Sequence, residues 1–131
     1  DKRGYAYSVY SYFAPMRQAG PFQIGLQTKR SQAKDAIKVT REVLAGFLKT
    51  GPSEEELAAA KANLTGSFPL RLDSNKKILD NVTMIAFYGM PLDYLDHYQA
   101  KVQAVTAEDV KQAFARRVRP ADLITVTVAA D

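Results

Sequence analysis

The chain has 131 residues, 47% hydrophobic and 24% charged, which is about one domain of ordinary globular composition and enough to build a core. Its 18 basic and 14 acidic residues leave a charge of +4, but basic residues adjoin only at Lys2-Arg3, Lys29-Arg30, Lys76-Lys77 and Arg116-Arg117, so the expectation is a solvated surface and no nucleic-acid partner. Cysteine is absent, which excludes disulfide and thiolate chemistry, and no apolar run reaches the roughly 18 residues of a membrane span.

The chain opens on Asp1 and runs straight into strand-like sequence, with no signal peptide in view; the expectation is a piece of a longer protein, with any targeting segment preceding it. From Lys2 to Phe13 the run holds four of the seven tyrosines among β-formers, bounded by Gly4 and Pro15, and reads as a long strand. Alternation puts Tyr5, Tyr7, Val9, Ser11 and Phe13 on one face and Ala6, Ser8, Tyr10 and Tyr12 on the other. Neither face is purely apolar, so the tyrosines either pack half-buried with their hydroxyls at a rim or offer phenols to a ligand.

Pro15 to Pro21 is a turn-forming connection, and Phe22 to Thr28 alternates cleanly with Phe22, Ile24 and Leu26 on one face, so the two segments form an antiparallel hairpin. Gly25 within the second strand reads as simple tolerance rather than close backbone approach. Ser31 is positioned to cap a helix whose Ala33, Ala36, Ile37, Thr40, Leu44, Phe47 and Leu48 recur at helical spacing until Gly51. Ser53-Glu54-Glu55-Glu56 is a capping box for a second helix running to Phe68 and closed by Pro69. Consecutive glutamates diverge around a helix, and no histidine or aspartate is placed to join them, so the cap is preferred to a metal site.

A third helix carries Ile78, Leu79, Val82, Ile85 and Ala86 as its buried stripe and ends at Gly89; a fourth opens at Pro91 and Asp93. Thr106 to Asp109 caps a fifth, with Val110, Phe114 and Val118 four residues apart. Leu123 to Ala129, rich in β-branched residues, reads as a closing strand. This order predicts an α+β fold, an antiparallel sheet with helices packed on one face.

Chemistry is sparse. The single histidine, His97, has no second histidine at helical spacing, and catalytic zinc usually takes three protein ligands, so no metal site and no catalytic residue is assigned to this chain and His97 is placed on the surface. Dispersed glycines exclude a phosphate loop, and a nucleophilic serine would lack its base.

Three stretches carry a family resemblance. Arg3-Gly4-Tyr5-Ala6-Tyr7-Ser8-Val9, Gly51 to Leu57, and Asp73-Ser74-Asn75 through Asn81 resemble the C-terminal half of a subunit of the pitrilysin-like zinc peptidases, the insulinase and mitochondrial processing peptidase type. Phe68 to Asn75 and Phe87 to Tyr94 look like the bacterial members. The resemblance covers nearly the whole chain and implies that 1–131 is a single-domain fragment of a C-terminal domain with the LuxS/metallohydrolase-like fold, incomplete because strands and a helix of that domain precede this stretch. The family's zinc motif, His-x-x-Glu-His, cannot be built here, so zinc is expected in a partner domain or subunit.

What the resemblance does place is Tyr7. In the family an arginine, six intervening residues and a tyrosine face the zinc and bind the substrate backbone; Tyr7 matches the tyrosine by its Gly-x-Ala-Tyr-Ser-Val context, and the arginine would fall one residue before Asp1. Arg3 does not take that role. The expected function is thus the substrate-binding portion of a zinc metallopeptidase acting on peptides, inactive alone. Two alternatives stand: a non-catalytic scaffold homologue, favoured by a non-arginine before Asp1, and a peptide-binding module using an open sheet edge. The missing strands imply an exposed edge and self-association, and bacterial relatives lean towards a periplasmic or envelope location.

Overall fold

In a computed structural model of the chain, which describes Gly4 and residues 6–128, two strands and five α-helices follow one another. The fold is α+β, as expected. Strands β1 (Ser8–Phe13) and β2 (Phe22–Gln27) form a two-stranded antiparallel sheet with Ser8 opposite Gln27 and Phe13 opposite Phe22. The helices are α1 (Ala33–Thr50), α2 (Glu54–Gly66), α3 (Asn75–Tyr88), α4 (Tyr98–Ala104) and α5 (Ala107–Arg117). Residues 1–51 with 111–131 make one compact unit and residues 52–110 a second, the division falling within α5.

In the first unit one face of the sheet turns towards the helices and is partly covered. Val9, Ser11 and Phe13 lie opposite Leu26, Ile24 and Phe22, so these six share a face. Phe13, Phe22 and Phe47 gather round Phe114 at ring-centroid distances of 5.2, 5.8 and 4.9 Å, all edge-on, the geometry that aromatic quadrupoles favour. Ala36 and Leu44 of α1 and Val118 after α5 are the buried apolar residues beside this cluster. Val118, the residue after α5, donates its backbone N–H to the Phe114 carbonyl at 2.8 Å.

The opposite sheet face carries Tyr10 and Tyr12, stacked at 6.0 Å, and Tyr12 donates to the Gln23 amide oxygen. Gly25 sits directly beneath Tyr10: a Cβ there would lie 2.3 Å from the ring. Close approach, not tolerance, explains this glycine, because the aromatic ring covers the strand where a side chain would stand.

Several boundaries differ from expectation. The helix near Ser31 begins as a 3₁₀ turn at Arg30–Gln32, and α1 starts at Ala33 without a side-chain cap. Pro69 lies inside a 3₁₀ turn, Phe68–Arg71, after α2 has ended at Gly66; proline suits the first positions of such a turn, where its missing N–H is not needed. Between Pro91 and His97 the chain forms turns, and α4 starts only at Tyr98. Leu123 to Val128 forms no strand; no ladder partner pairs it among the described residues, and Ala129 lies outside them. Arg41 of α1 instead donates to the Leu123 carbonyl at 3.4 Å and to the Thr125 hydroxyl at 2.8 Å.

The second unit is held differently. Ser53 and Glu56 form the expected reciprocal capping box, at 3.1 and 2.8 Å. Thr106 and Asp109 do the same at the start of α5, at 3.1 and 2.9 Å. Gly89 closes α3 in the left-handed conformation, φ 63°, and Met90 donates back to the Ile85 carbonyl at 2.9 Å. Of the stripe expected to be buried on α3 only Ile85 is; Ile78, Leu79 and Val82 are exposed, as is Ala86. Periodicity marks a face, and burial requires another element to cover it.

Candidate functional site

Tyr7 stands one residue before β1. Its backbone N–H donates to the Gln27 carbonyl at 2.8 Å, which ties the residue to the end of the sheet. The side chain is 74% exposed, and its hydroxyl has no hydrogen-bond partner among the described residues. The main chain of Tyr7 is thus tied to the sheet while its phenol faces solvent. Arg3 and Tyr5 of the same stretch lie outside the described residues, as do Asp1 and Lys2.

The same unit opens a groove of about 550 Å³ between the sheet and α1, lined chiefly by Val9, Ile24, Leu26, Val39, Val43 and Phe47; Tyr7 is not among its lining residues. Its lining is mostly apolar, with Tyr10, Ser11 and Thr40 as the polar residues, and carries no charge.

His97 is a surface residue: it is 59% exposed and its Nε2 lies 3.1 Å from Asp93. Among the described residues no three histidine, cysteine, aspartate or glutamate side chains converge as a metal site. Of the glutamates at the start of α2, Glu56 completes the capping box with Ser53, and Glu54 and Glu55 lie in the first turn, where they suit the helix dipole. The Asp73 to Asn81 motif also proves architectural. Ser74 caps α3, Lys77 bonds the Leu70 carbonyl at 2.8 Å and Asp73, and Asn81 donates to the Arg71 and Lys77 carbonyls at 3.1 and 2.8 Å. These bonds satisfy carbonyls at the turn from 3₁₀ to α-helix, which accounts for that spacing of polar residues. Sequence reasoning left Tyr10 and Gly25 unassigned as a pair; the signal was an aromatic and a glycine at hairpin positions equidistant from the turn.

No helix among the described residues is long and apolar enough to cross a membrane.

Comparison with known proteins agrees with this layout. The family described as the peptidase M16 inactive domain matches residues 1–64. An uncharacterised zinc protease of Streptomyces coelicolor is 30% identical over 118 residues, 90% of this chain and 26% of its own length. A non-peptidase homologue of Helicobacter pylori is 29% identical, over 83% of this chain and 25% of its own length. The crystal structure of a peptidase M16 inactive domain from Pseudomonas fluorescens superposes with a TM-score of 0.84 at 39% identity, covering 91% of this chain and 28% of that one. The chain spans about a quarter of the length of the relatives it matches. Sequence and fold together place it in the M16, pitrilysin-like peptidase family, as an inactive-domain sequence of zinc-protease-like proteins.

Proposed function

We propose that this chain is the substrate-binding, non-zinc-bearing portion of a pitrilysin-type zinc metallopeptidase, part of the C-terminal domain of a larger subunit, and that Tyr7 is its working residue. One observation carries the reading: Tyr7 is pinned through its backbone to Gln27 while its phenol stays exposed and unpartnered among the described residues. A phenol donates one hydrogen bond and brings no charge of its own. Aimed at a peptide carbonyl, it would orient the substrate backbone and stabilise negative charge as that oxygen becomes tetrahedral. The described residues do not fit a zinc ion. On this reading the metal belongs to another domain or subunit, and the role derived for this chain stops at binding and polarising the peptide.

The test is cleavage of a fluorogenic peptide by the full-length parent with its zinc-bearing domain or subunit, wild type against Tyr7→Phe. Removing one such donor lowers kcat by about 10²–10³-fold, with unchanged circular dichroism. Cleavage indifferent to Tyr7→Phe would remove Tyr7 from the site. A second reading, a scaffold homologue that cuts nothing, is favoured by the Helicobacter pylori relative, a non-peptidase homologue. It would be preferred if no combination of subunits cleaves any peptide.

A further inference from the structure

The hydrogen bonds at the start of β1 do not follow a regular ladder. Ala14 donates to the Pro21 carbonyl at 3.0 Å, and in an antiparallel pair every second residue repeats that exchange, so Tyr12 bonds with Gln23, Tyr10 with Gly25 and Ser8 with Gln27. The Gln27 carbonyl is therefore the partner of the Ser8 N–H, yet it also accepts from the Tyr7 N–H at 2.8 Å. Two successive residues of one strand facing a single residue of the other make a β-bulge. The extra residue reverses the alternation beyond it, so Tyr7 stays on the side of Ser8 instead of crossing to that of Val9. The groove agrees: half-buried Ala6 lines it and Tyr7 does not, the reverse of what alternation from Val9 gives.

We infer that this bulge aims the Tyr7 phenol over the outer face of the hairpin, and that Tyr10 on the same face is a second contact for the peptide; the inference rests on the reading of Tyr7 given above. Ser8, Tyr10 and Tyr12 share that face with Gln23, Gly25 and Gln27. Tyr10 carries the first aromatic ring there after Tyr7, three residues on, or about 10 Å at the rise of a strand. Its ring rests on Gly25, where a Cβ would lie 2.3 Å from it, and the residue is still 57% exposed. Tyr12 stacks beside it at 6.0 Å. A ring bedded on bare main chain and flanked by a second ring is fixed before a ligand arrives, so little freedom is lost when one does.

The chemistry of the face says what it takes. None of its six residues is charged, and the face of an aromatic ring carries the negative part of the quadrupole, which suits an aromatic or aliphatic side chain and repels a carboxylate. An extended peptide advances by about 3.3 Å per residue. The substrate residue over Tyr10 is thus about three positions from the carbonyl that meets Tyr7, and Tyr10 sets a preference there for an apolar over an acidic side chain.

The test uses fluorogenic peptides that differ only in carrying Phe or Asp at the third residue on either side of the cleaved bond, given to the full-length parent with its zinc-bearing domain or subunit. The wild type is expected to favour Phe at one of those two positions. Tyr10→Ala is expected to raise KM for that peptide at least about fivefold with kcat within about twofold, and to move KM for the Asp peptide far less. Tyr10→Phe recovers most of the rise, because the ring makes the contact. Tyr10 is exposed, so circular dichroism of both variants is expected to match the wild type. Fluorescence anisotropy of the same Phe peptide on the zinc-stripped parent reads the loss as a rise in Kd of similar size, whether or not anything is cut. Equal KM and Kd in wild type and Tyr10→Ala overturn the inference, and if Tyr7→Phe still lowers kcat the reading of Tyr7 stands without it. An equal rise for the Phe and Asp peptides overturns it too, since that marks a structural loss and not a contact. If cleavage ignores Tyr7→Phe, the reading of Tyr7 fails and this inference with it.

Discussion

The hairpin and the segment Leu123 to Val128 carry the same kind of sequence and meet different fates. By composition the second is the better strand: Leu-Ile-Thr-Val-Thr-Val is more β-branched than Ser-Val-Tyr-Ser-Tyr-Phe. Yet β1 is a strand and residues 123–128 are not. The hairpin finds its partner across the short connection from Ala14 to Pro21, where loop closure is cheap in entropy, and the aromatic cluster round Phe114 then partly covers its inner face. The later segment is held at its start by Arg41 and by the Leu123 N–H donating to the Pro120 carbonyl, and Ile124, Val126 and Val128 are 89%, 82% and 93% exposed. A strand is a relation between two segments, and propensity supplies only one of them.

Breaking the packed side of that comparison should have the largest effect. Phe114→Ala removes the ring that Phe13, Phe22 and Phe47 share, and its loss is expected to destabilise by about 3 kcal/mol in urea unfolding, the low end for phenylalanine because the residue is only partly buried. Leu44→Ala, at a buried site in the same unit, falls in the range of about 2–5 kcal/mol. If Phe114→Ala left stability unchanged, the hairpin would not depend on its cover.

Gly25→Val sharpens the comparison on the sheet's other face. Its side chain meets the Tyr10 ring, which must swing aside, and a loss of about 1–3 kcal/mol is expected. Combining it with Tyr10→Ala should recover part of that loss, because the two residues compete for one space; strict additivity would show that they do not. Val126→Thr on the unpaired segment is expected to change stability by less than about 0.5 kcal/mol, the usual range for exposed sites. Smallest of all is Lys76→Met. The hydrogen bond to Asp80 raises the Lys76 ammonium above its ordinary pKa, so any contribution is present at neutral pH and lost as pH rises past that pKa, but both groups are exposed and no shift in melting temperature is expected.

The candidate site was legible in part. Tyr7 emerged from the Gly-x-Ala-Tyr-Ser-Val context and the family it resembles; nothing in periodicity separated it from the other six tyrosines. The structure adds that its backbone is tied to Gln27 and its side chain exposed, features that Tyr10, paired with Gly25 and also exposed, shares. The Asp73 to Asn81 motif entered the same resemblance and turned out to fasten a helix start, because a polar residue at a fixed spacing serves a backbone carbonyl as readily as a ligand.

By itself, then, the sequence determined what depends on neighbours along the chain: the hairpin, the capping boxes at Ser53 and Thr106, the helix stops at Gly51 and Gly89, and the α+β class that their order implies. Those features rest on local hydrogen bonds and backbone sterics, which a few residues decide. Tertiary structure alone decided which apolar stripes are covered, what a side chain at position 25 would meet, and that Leu123 to Val128 stays unpaired among the described residues. Burial and strand pairing are properties of two surfaces at once, and a periodic pattern describes only one.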